Sequence, residues 1–221
     1  MSRWKSAVRC SSIPKERGSM VSFAGLERST LDGLVRPGHY GRAGATGLLI
    51  EERRDLAFAS VTAKRGKRFA LVNAVNTAFG VALPDGPRRA TRGSVTFAGT
   101  GPDQWIASAD GSEAAGFANK VRARIGPFAA VSDQSDARLV LRLSGPRVCD
   151  VLAKGVPVDL HAQAFKPGDI ACTVVSYINT QIDMLDDAPT YQLAAPRSMA
   201  GSFWSWLTAS AAEFGYDVIA P

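Results

Sequence analysis

The sequence predicts an α+β fold built from two split β-α-β lobes of mixed or antiparallel sheet. The 221 residues are 46% hydrophobic, which is enough for the core of one large domain or of two small lobes. Segments with the two-residue alternation of strands take turns with segments that have the periodicity of amphipathic helices. Two rounds of strand, helix and strand, with the helices on one side, favour two lobes of this kind.

The boundaries of the folded part follow from composition. We place an α+β domain at 47–221, with lobes at about 47–127 and 128–221, and a flexible basic and glycine-rich arm at 1–46. Ahead of residue 47 glycine recurs every third residue, without the G-x-G-x-x-G spacing of a dinucleotide-binding loop. This pattern predicts a flexible lead-in to the first strand, with an arm that lies over a partner as the alternative.

The first 19 residues carry most of the net charge. They hold five Lys and Arg residues against the single acidic Glu16, which accounts for four of the six net positive charges of the chain. This segment is rich in serine and lacks hydrophobic periodicity, so we expect it to be disordered. An over-called translation start at Met1 and a mitochondrial presequence, which has a similar composition, are the alternatives.

The first lobe opens on two strands and continues with a helix. Its predicted segments are strands at 48–53 and 56–63, a helix at 65–80, a loop at 83–92, a strand pair at 94–97 and 104–108, and a helix at 112–125. The loop contains two prolines and an Asp-Gly pair, which break regular structure. The second helix carries an apolar stripe that includes Phe117 and Val121, and Gly126-Pro127 ends it.

The second lobe begins at a turn. Its predicted segments are this turn at 133–136, a strand with Leu139, Leu141 and Leu143 on one face, a short helix through Lys154, strands at 173–185 and 190–195, and a helix at about 198–214. Asp133 and Ser135 can bond nearby backbone N–H groups, which fixes the entry to the strand. Ser144 is placed to cap the short helix, and Pro146 gives up an N–H that has no partner at a helix start.

The segment 131–165 has the most distinctive order of features: D-x-S, strand, S-G-P, helix, then V-D-L-H and an aromatic residue. On these features the chain resembles the gamma subunit family of heterotetrameric sarcosine oxidase, over about residues 47–218. Further matching segments lie at 56–61, 166–169, 186–191, 196–198, 203–207 and 213–215. More distantly, the chain resembles the folate-binding domain of the glycine-cleavage aminomethyltransferase, which implies the fold of that domain.

The resemblance implies a structural, non-catalytic subunit whose partners are the alpha, beta and delta subunits of the oxidase. It implies that the complex oxidatively demethylates sarcosine to glycine, passes the one-carbon unit to tetrahydrofolate and reduces oxygen to hydrogen peroxide. FAD, FMN, NAD and tetrahydrofolate then belong to the complex, and we expect no cofactor in this chain. The alternatives are the small subunit of a related N-methylglutamate dehydrogenase and a freestanding folate-dependent aminomethyltransferase.

The resemblance also implies where the acidic residues of the aminomethyltransferases would lie in this sequence. In the aminomethyltransferases, an acidic pair ahead of a strand of the second lobe positions the folate and the reacting amine. Counting back from the hairpin at 186–191, this pair falls on Ile178 and Asn179, which supply no carboxylate. The nearest acid, Asp183, lies inside the strand pattern. We therefore expect that the folate chemistry of these relatives does not carry over.

The residues themselves point to no other catalytic, cofactor-binding or metal-binding site. Neither His39 nor His161 has an obvious partner nearby in sequence, although histidine is the usual acid or base near neutral pH. Ser144 lacks the G-x-S-x-G elbow of a serine nucleophile. The three cysteines, Cys10, Cys149 and Cys172, are widely spaced and odd in number, so we expect them to be reduced and structural.

Several classes of protein are disfavoured. No run approaches the ~20 apolar residues of a membrane span, and no secretory signal opens the chain, so we expect a soluble cytoplasmic protein. The basic clusters at 64–68 and 88–92 lack interleaved aromatic residues. They favour a solvated or partner-facing surface over a nucleic-acid site, which stays an alternative class.

Three side chains are candidates for partner contacts. Trp204 points away from the stripe of the last helix that holds Phe203 and Trp206. Arg138 and Arg142 leave their strand on the face opposite the leucines. There they form either charged interface pairs or ordinary exposed positions of the strand.

Overall fold

Two β-sheets, each covered by helices on its outer face, form the framework of the protein. A computed structural model describes residues 29–219, so the basic segment 1–19 and Cys10 lie outside the described residues. The strands are β1 (Gly38–Tyr40), β2 (Leu48–Glu52), β3 (Leu56–Ala63), β4 (Arg89–Arg92), β5 (Val95–Gly101), β6 (Gln104–Asp110), β7 (Ala129–Asp133), β8 (Arg138–Ser144), β9 (Ile170–Val175), β10 (Ile178–Asp186), β11 (Thr190–Pro196) and β12 (Tyr216–Ile219). The α-helices are α1 (Arg68–Phe79), α2 (Phe117–Ile125), α3 (Val148–Ala153) and α4 (Ala200–Ala211).

The strands divide into a large and a small sheet. The large sheet has seven strands in the order β1-β12-β2-β8-β11-β10-β9, and the small sheet has five in the order β4-β5-β6-β3-β7. All neighbouring strands are antiparallel except β12 and β2, which are parallel. The predicted α+β fold of mixed sheet is confirmed.

The division of strands between the sheets does not follow the predicted lobe boundary near residue 127. β2 belongs to the large sheet, where it pairs with β8 and β12, and β7 belongs to the small sheet, where it pairs with β3. Residues 56–133 therefore form the small-sheet lobe, which is inserted between two strands of the large sheet. The sequence does not show that β2 and β7 each join the sheet of the other predicted lobe, because strands that follow one another need not pair.

Part of the predicted flexible arm is packed. β1 pairs with β12 through three residues, and Leu31 is buried in the core of the large sheet. The pairing joins segments at opposite ends of the chain, and neither segment has a strand pattern long enough to be recognised alone. The prediction of a flexible arm is thus wrong for the residues of β1.

The core of the large sheet lies between two layers: the strands of that sheet on one side and the helices α3 and α4 on the other. Leu139, Leu141 and Leu143 are buried on one face of β8, as the alternation predicts. Phe203 and Leu207 of α4 are fully buried against the same core.

The core of the small sheet is formed by α1 and α2. Leu71 and Val75 of α1 are fully buried, as are Val121 and Ile125 of α2, so the predicted helical stripes are confirmed. The indole N–H of Trp105 donates a hydrogen bond to the backbone oxygen of Pro84 at 2.8 Å, which satisfies the one polar atom of this buried ring.

The D-x-S turn connects the two sheets. Asp133 Oδ1 accepts hydrogen bonds from the backbone N–H and the hydroxyl of Ser135, as predicted. Ser135 Oγ in turn accepts a hydrogen bond from the backbone N–H of Phe58 in β3 at 3.1 Å. The turn thus fixes the start of β8 against the small sheet.

The predicted cap at Ser144 is wrong. Ser144 ends β8, and α3 begins only at Val148, with Arg147 at the cap position and no side-chain cap hydrogen bond. Gly145, with φ at +117°, makes a turn between strand and helix and lies against the backbone of Gly47. Because this turn separates Ser144 from the first amides of α3, its hydroxyl does not cap them.

The predicted strand at 173–185 is in fact a hairpin. β9 and β10 reverse at Ser176 and Tyr177, both of which have left-handed φ values, +47° and +69°. Neither residue is a Gly, Asn or Asp, the types that usually occupy left-handed positions in a hairpin turn, so the sequence does not mark the reversal. The short strands β4, β7 and β12 were also not predicted. Among residues 29–219, no helix is long and apolar enough to cross a membrane.

Candidate functional site

The inner faces of the two sheets meet around a cavity. Phe58 and Ile106 of the small sheet contact Val140 and Ala194 of the large sheet in a small apolar cluster. Beside this cluster lies a cavity of about 850 Å³. Its walls come from β5 and β6 on one side, from β9, β10 and β11 on the other, and from the segment that leads into β8. On the faces of the sheets that the helices cover, most side chains are apolar, and the polar side chains of the strands lie mainly on the inner faces.

The two residues to which the resemblance assigns the acidic pair, Ile178 and Asn179, begin β10 beside this cavity. Ile178 begins β10 and points into the core of the large sheet, where it is 5% exposed. Asn179 points to the opposite side of the strand and lines the cavity. Neither residue presents a carboxylate at the cavity, and of the two only Asn179 lies on the inner face.

Asp183 lies four residues farther along β10, on the same inner face. It is fully buried, and Gln181 Nε2 donates a hydrogen bond to its Oδ1 at 2.8 Å. Arg89 NH1 lies 3.9 Å from the other carboxylate oxygen, which is too far for a hydrogen bond. Burial raises the pKa of Asp183, and the hydrogen bond and the arginines offset this effect only in part.

Arg138 brings a positive charge to the cavity wall. Burial is the main cause that lowers its pKa, while Cys172 and Asp183 oppose the shift. Its Nε atom is buried and has no hydrogen-bond partner. Cys172 lines the same wall as a free thiol whose pKa burial raises. The two groups come from different strands and are brought together only by the fold.

The other partner-contact candidates lie elsewhere. Arg142 is on the inner face of the large sheet, where its NH1 pairs with Glu51 of the neighbouring β2 at 3.6 Å. Trp204 is half-buried and packs against the large core, while the rings of Trp206 and Phe203 lie 5.6 Å apart. Of the three candidates, only Arg138 lines the cavity.

Both histidines take part in local structure. His39 Nδ1 lies 2.6 Å from Asp217 Oδ1, and its Nε2 lies 2.9 Å from the backbone oxygen of Arg42. His161 Nδ1 accepts a hydrogen bond from the backbone N–H of Gln163 at 3.3 Å. Sequence reasoning missed the His39 pair, because Asp217 is 178 residues away. Within residues 29–219, no group of three or more His, Cys, Asp or Glu side chains is arranged to hold a metal ion.

The basic clusters are largely engaged within the chain. Arg68 pairs with Asp85 and Asp103, and Arg88 pairs with Asp169, each at 2.6 Å. The Lys64 ammonium donates a hydrogen bond to the backbone oxygen of Gly126 at 2.6 Å. Cations held in this way form charged surface networks and present no continuous phosphate-binding stripe.

Sequence reasoning also missed the polar row on β10. Asn179, Gln181 and Asp183 occupy every second position of β10, and this two-residue period marks a polar inner face. The signal was available in the sequence. What it did not reveal is that a second sheet faces this row and that Gln181 and Asp183 are buried.

Comparisons with known proteins agree with this architecture. The model of the sarcosine oxidase gamma subunit family matches residues 65–213. The chain is 30% identical over 167 residues to sarcosine oxidase subunit gamma of an Arthrobacter species, a match that covers 72% of this chain and 78% of that protein.

Two solved structures share the fold. A chain of heterotetrameric sarcosine oxidase from Corynebacterium sp. U-96, in complex with pyrrole 2-carboxylate, superposes with a TM-score of 0.73 at 24% identity, over 86% of this chain and 96% of that chain. Glycine cleavage system aminomethyltransferase T from Bartonella henselae superposes with a TM-score of 0.56 at 12% identity. That match covers 79% of this chain but only 48% of the transferase, so this chain spans about half of the transferase's length.

Proposed function

The chain belongs to the sarcosine oxidase gamma subunit family, and from this premise we propose that it is a non-catalytic subunit that stabilises a heterotetrameric oxidase. The observation that carries the proposal is the family match over residues 65–213. This range contains every residue that lines the cavity and parts of both lobes. The membership therefore applies to the region that holds the cavity and the residues Ile178 and Asn179.

The inner face supports a structural role. Folate-dependent transfer in the resembling transferases requires an acidic pair, and the corresponding positions hold Ile178, buried in the core, and the amide Asn179. Asp183 is buried against Gln181, and this burial raises its pKa. These residues do not fit a folate-dependent reaction, and we assign no chemical step to this chain.

We further propose that the partners are the alpha, beta and delta subunits and that the complex works in the cytoplasm. FAD, FMN, NAD and tetrahydrofolate are assigned to the larger subunits. The complex then oxidatively demethylates sarcosine to glycine, with tetrahydrofolate as the acceptor of the one-carbon unit. The role of this chain is to offer contact surfaces to these subunits.

Co-expression with the neighbouring genes tests this function. A tag on this chain is expected to retain flavin-containing chains through affinity purification and size exclusion, and the retained complex is expected to oxidise sarcosine. Faster oxidation of N-methylglutamate than of sarcosine would instead assign the chain to the related dehydrogenase. If no flavin-containing chain is retained, the assembly role is refuted. Tight folate binding by the isolated chain would revive the transferase alternative.

A further inference from the structure

The mouth of the cavity between the sheets has chemistry that a purely internal packing role does not explain. Of the described residues that line the cavity, Arg138 alone carries a charge. The rest of the lining is apolar or neutral and includes the amides of Gln104, Gln134, Asn179 and Gln181. A lining of amides around one cation matches a carboxylate that is attached to a peptide-like or amide-bearing group.

The positive charge of Arg138 is not neutralised by a salt bridge with any of the described residues. Among residues 29–219 it forms no salt bridge, and its buried Nε has no hydrogen-bond partner. The acidic group that acts on it, Asp183, is itself fully buried and bonded to Gln181. A buried guanidinium donor without an acceptor is costly, and an entering carboxylate would remove that cost through a charge-assisted hydrogen bond.

Two exposed side chains of the β9–β10 hairpin, Val174 and Tyr177, form an apolar rim beside the cavity. Val174, which lines the cavity, is 41% exposed, and Tyr177 in the turn of the same β9–β10 hairpin is 98% exposed. Ser176 and Tyr177 both hold left-handed backbone conformations to make this turn. β9 is also the terminal strand of the large sheet. A free small carboxylate inside the cavity would leave this rim uncovered, whereas a protein partner covers it.

We propose that the cavity mouth is a docking site for an acidic segment of a partner subunit. One carboxylate of that segment bonds to Arg138, and its neighbouring residues pack on Val174 and Tyr177. The proposal rests on the proposed function, since the occupant is another subunit of the same complex. It adds the surface that is used and the chemistry of the segment that occupies it.

Matched variants of the full chain, co-expressed with the partner subunits, test the proposal. Arg138→Met removes the charge at similar volume, and Tyr177→Ser removes the exposed ring. The controls are Arg65→Met, at an exposed arginine beside α1, and Phe69→Ser, at an aromatic ring on α1 that is 80% exposed. Tyr177 has almost no contact with the rest of the fold, so its variant reports on binding even if Arg138→Met lowers stability.

The readout is the dissociation constant between this chain and the remaining subunits. We expect Arg138→Met and Tyr177→Ser each to weaken binding about tenfold or more, and both controls to stay within about twofold of the wild type. Arg138→Lys is expected to recover part of the loss.

Wild-type retention of the subunits together with unchanged binding by both variants would overturn the docking site and leave the assembly function intact. If the wild type retains no subunit, both proposals fall. Thermal stabilisation of the isolated chain by millimolar succinate, abolished in Arg138→Met while assembly is unchanged, would assign the cavity to a free carboxylate and also overturn the docking site.

Discussion

Replacing Leu141 by alanine should strongly destabilise the large-sheet lobe. Leu141 lies in the middle of β8, is fully buried, and is flanked by Glu52 of β2 on one side and Leu193 of β11 on the other. Because both neighbouring strands are held in register on either side of this residue, the surrounding core has little freedom to collapse into the space that the substitution leaves.

The size of the effect follows from the atoms removed. Leucine to alanine deletes three carbon atoms, which corresponds to about 2.4 kcal/mol of lost burial at about 0.8 kcal/mol for each methylene. The cavity adds about 24 cal/mol for each Å³ that does not collapse, so the total is about 3 to 4 kcal/mol. With a urea m-value of roughly 2 kcal/mol/M, the unfolding midpoint should fall by about 1.5 to 2 M.

Urea titration followed by far-ultraviolet circular dichroism measures this change. The matched control is Leu34→Ala, because Leu34 is 57% exposed and its truncation should cost less than about 0.5 kcal/mol. A loss below about 1 kcal/mol at Leu141, or an equal loss at both leucines, would refute the assignment of β8 to the centre of a rigid core.

Three further outcomes are expected. Protonated His39 donates hydrogen bonds to the Arg42 backbone oxygen and to Asp217, which raises its pKa above 6.5. The wild type should therefore be more stable than His39→Gln below pH 6.5, and this difference in stability should disappear as the pH rises through the folded-state pKa of His39. Burial raises the pKa of Asp183, so the free energy of unfolding of the wild type should fall as the pH rises from about 3.8 through the folded-state pKa. Over that range the stability of Asp183→Asn relative to the wild type should increase. His161→Ala should leave turnover per flavin of the assembled complex nearly unchanged, because the hydrogen bonds that His161 makes within residues 29–219 lie in its own turn.

Each of these outcomes has a clear counter-result. Thermal melts between pH 5.5 and 8.5 that show the same pH dependence for wild type and His39→Gln would contradict the role of the imidazolium. Parallel urea stability profiles of wild type and Asp183→Asn between pH 4 and 8 would show that the buried acid does not titrate with folding. A loss of activity by orders of magnitude in His161→Ala, with assembly intact, would mean that this chain takes part in chemistry.

Local patterns predicted much of the fold. The alternation around Leu141, the apolar stripe of α2 and the turn at Asp133 and Ser135 all depend on residues close together in sequence, and the structure confirms each of them. The cap at Ser144 failed because the glycine turn that follows it depends on a close approach to Gly47, far away along the chain.

The candidate site was only partly accessible to such reasoning. The prediction that the acidic pair is missing at Ile178 and Asn179 rests on the resemblance and on the identities of these two residues. The cavity was not, because its walls come from strands of both sheets and its charge from Arg138, which the sequence presents as one more residue on a strand face.

The sequence by itself determined the family and the α+β class, because these depend on residue type and local order. Only the tertiary structure decided that β1 packs against β12, that Asp183 is buried and that Arg138 faces a cavity without a carboxylate partner among the described residues. These features depend on which strands pair and which sheet faces meet. Strand pairing and sheet packing are both set by the burial of residues that are far apart in sequence, and no short segment encodes that burial.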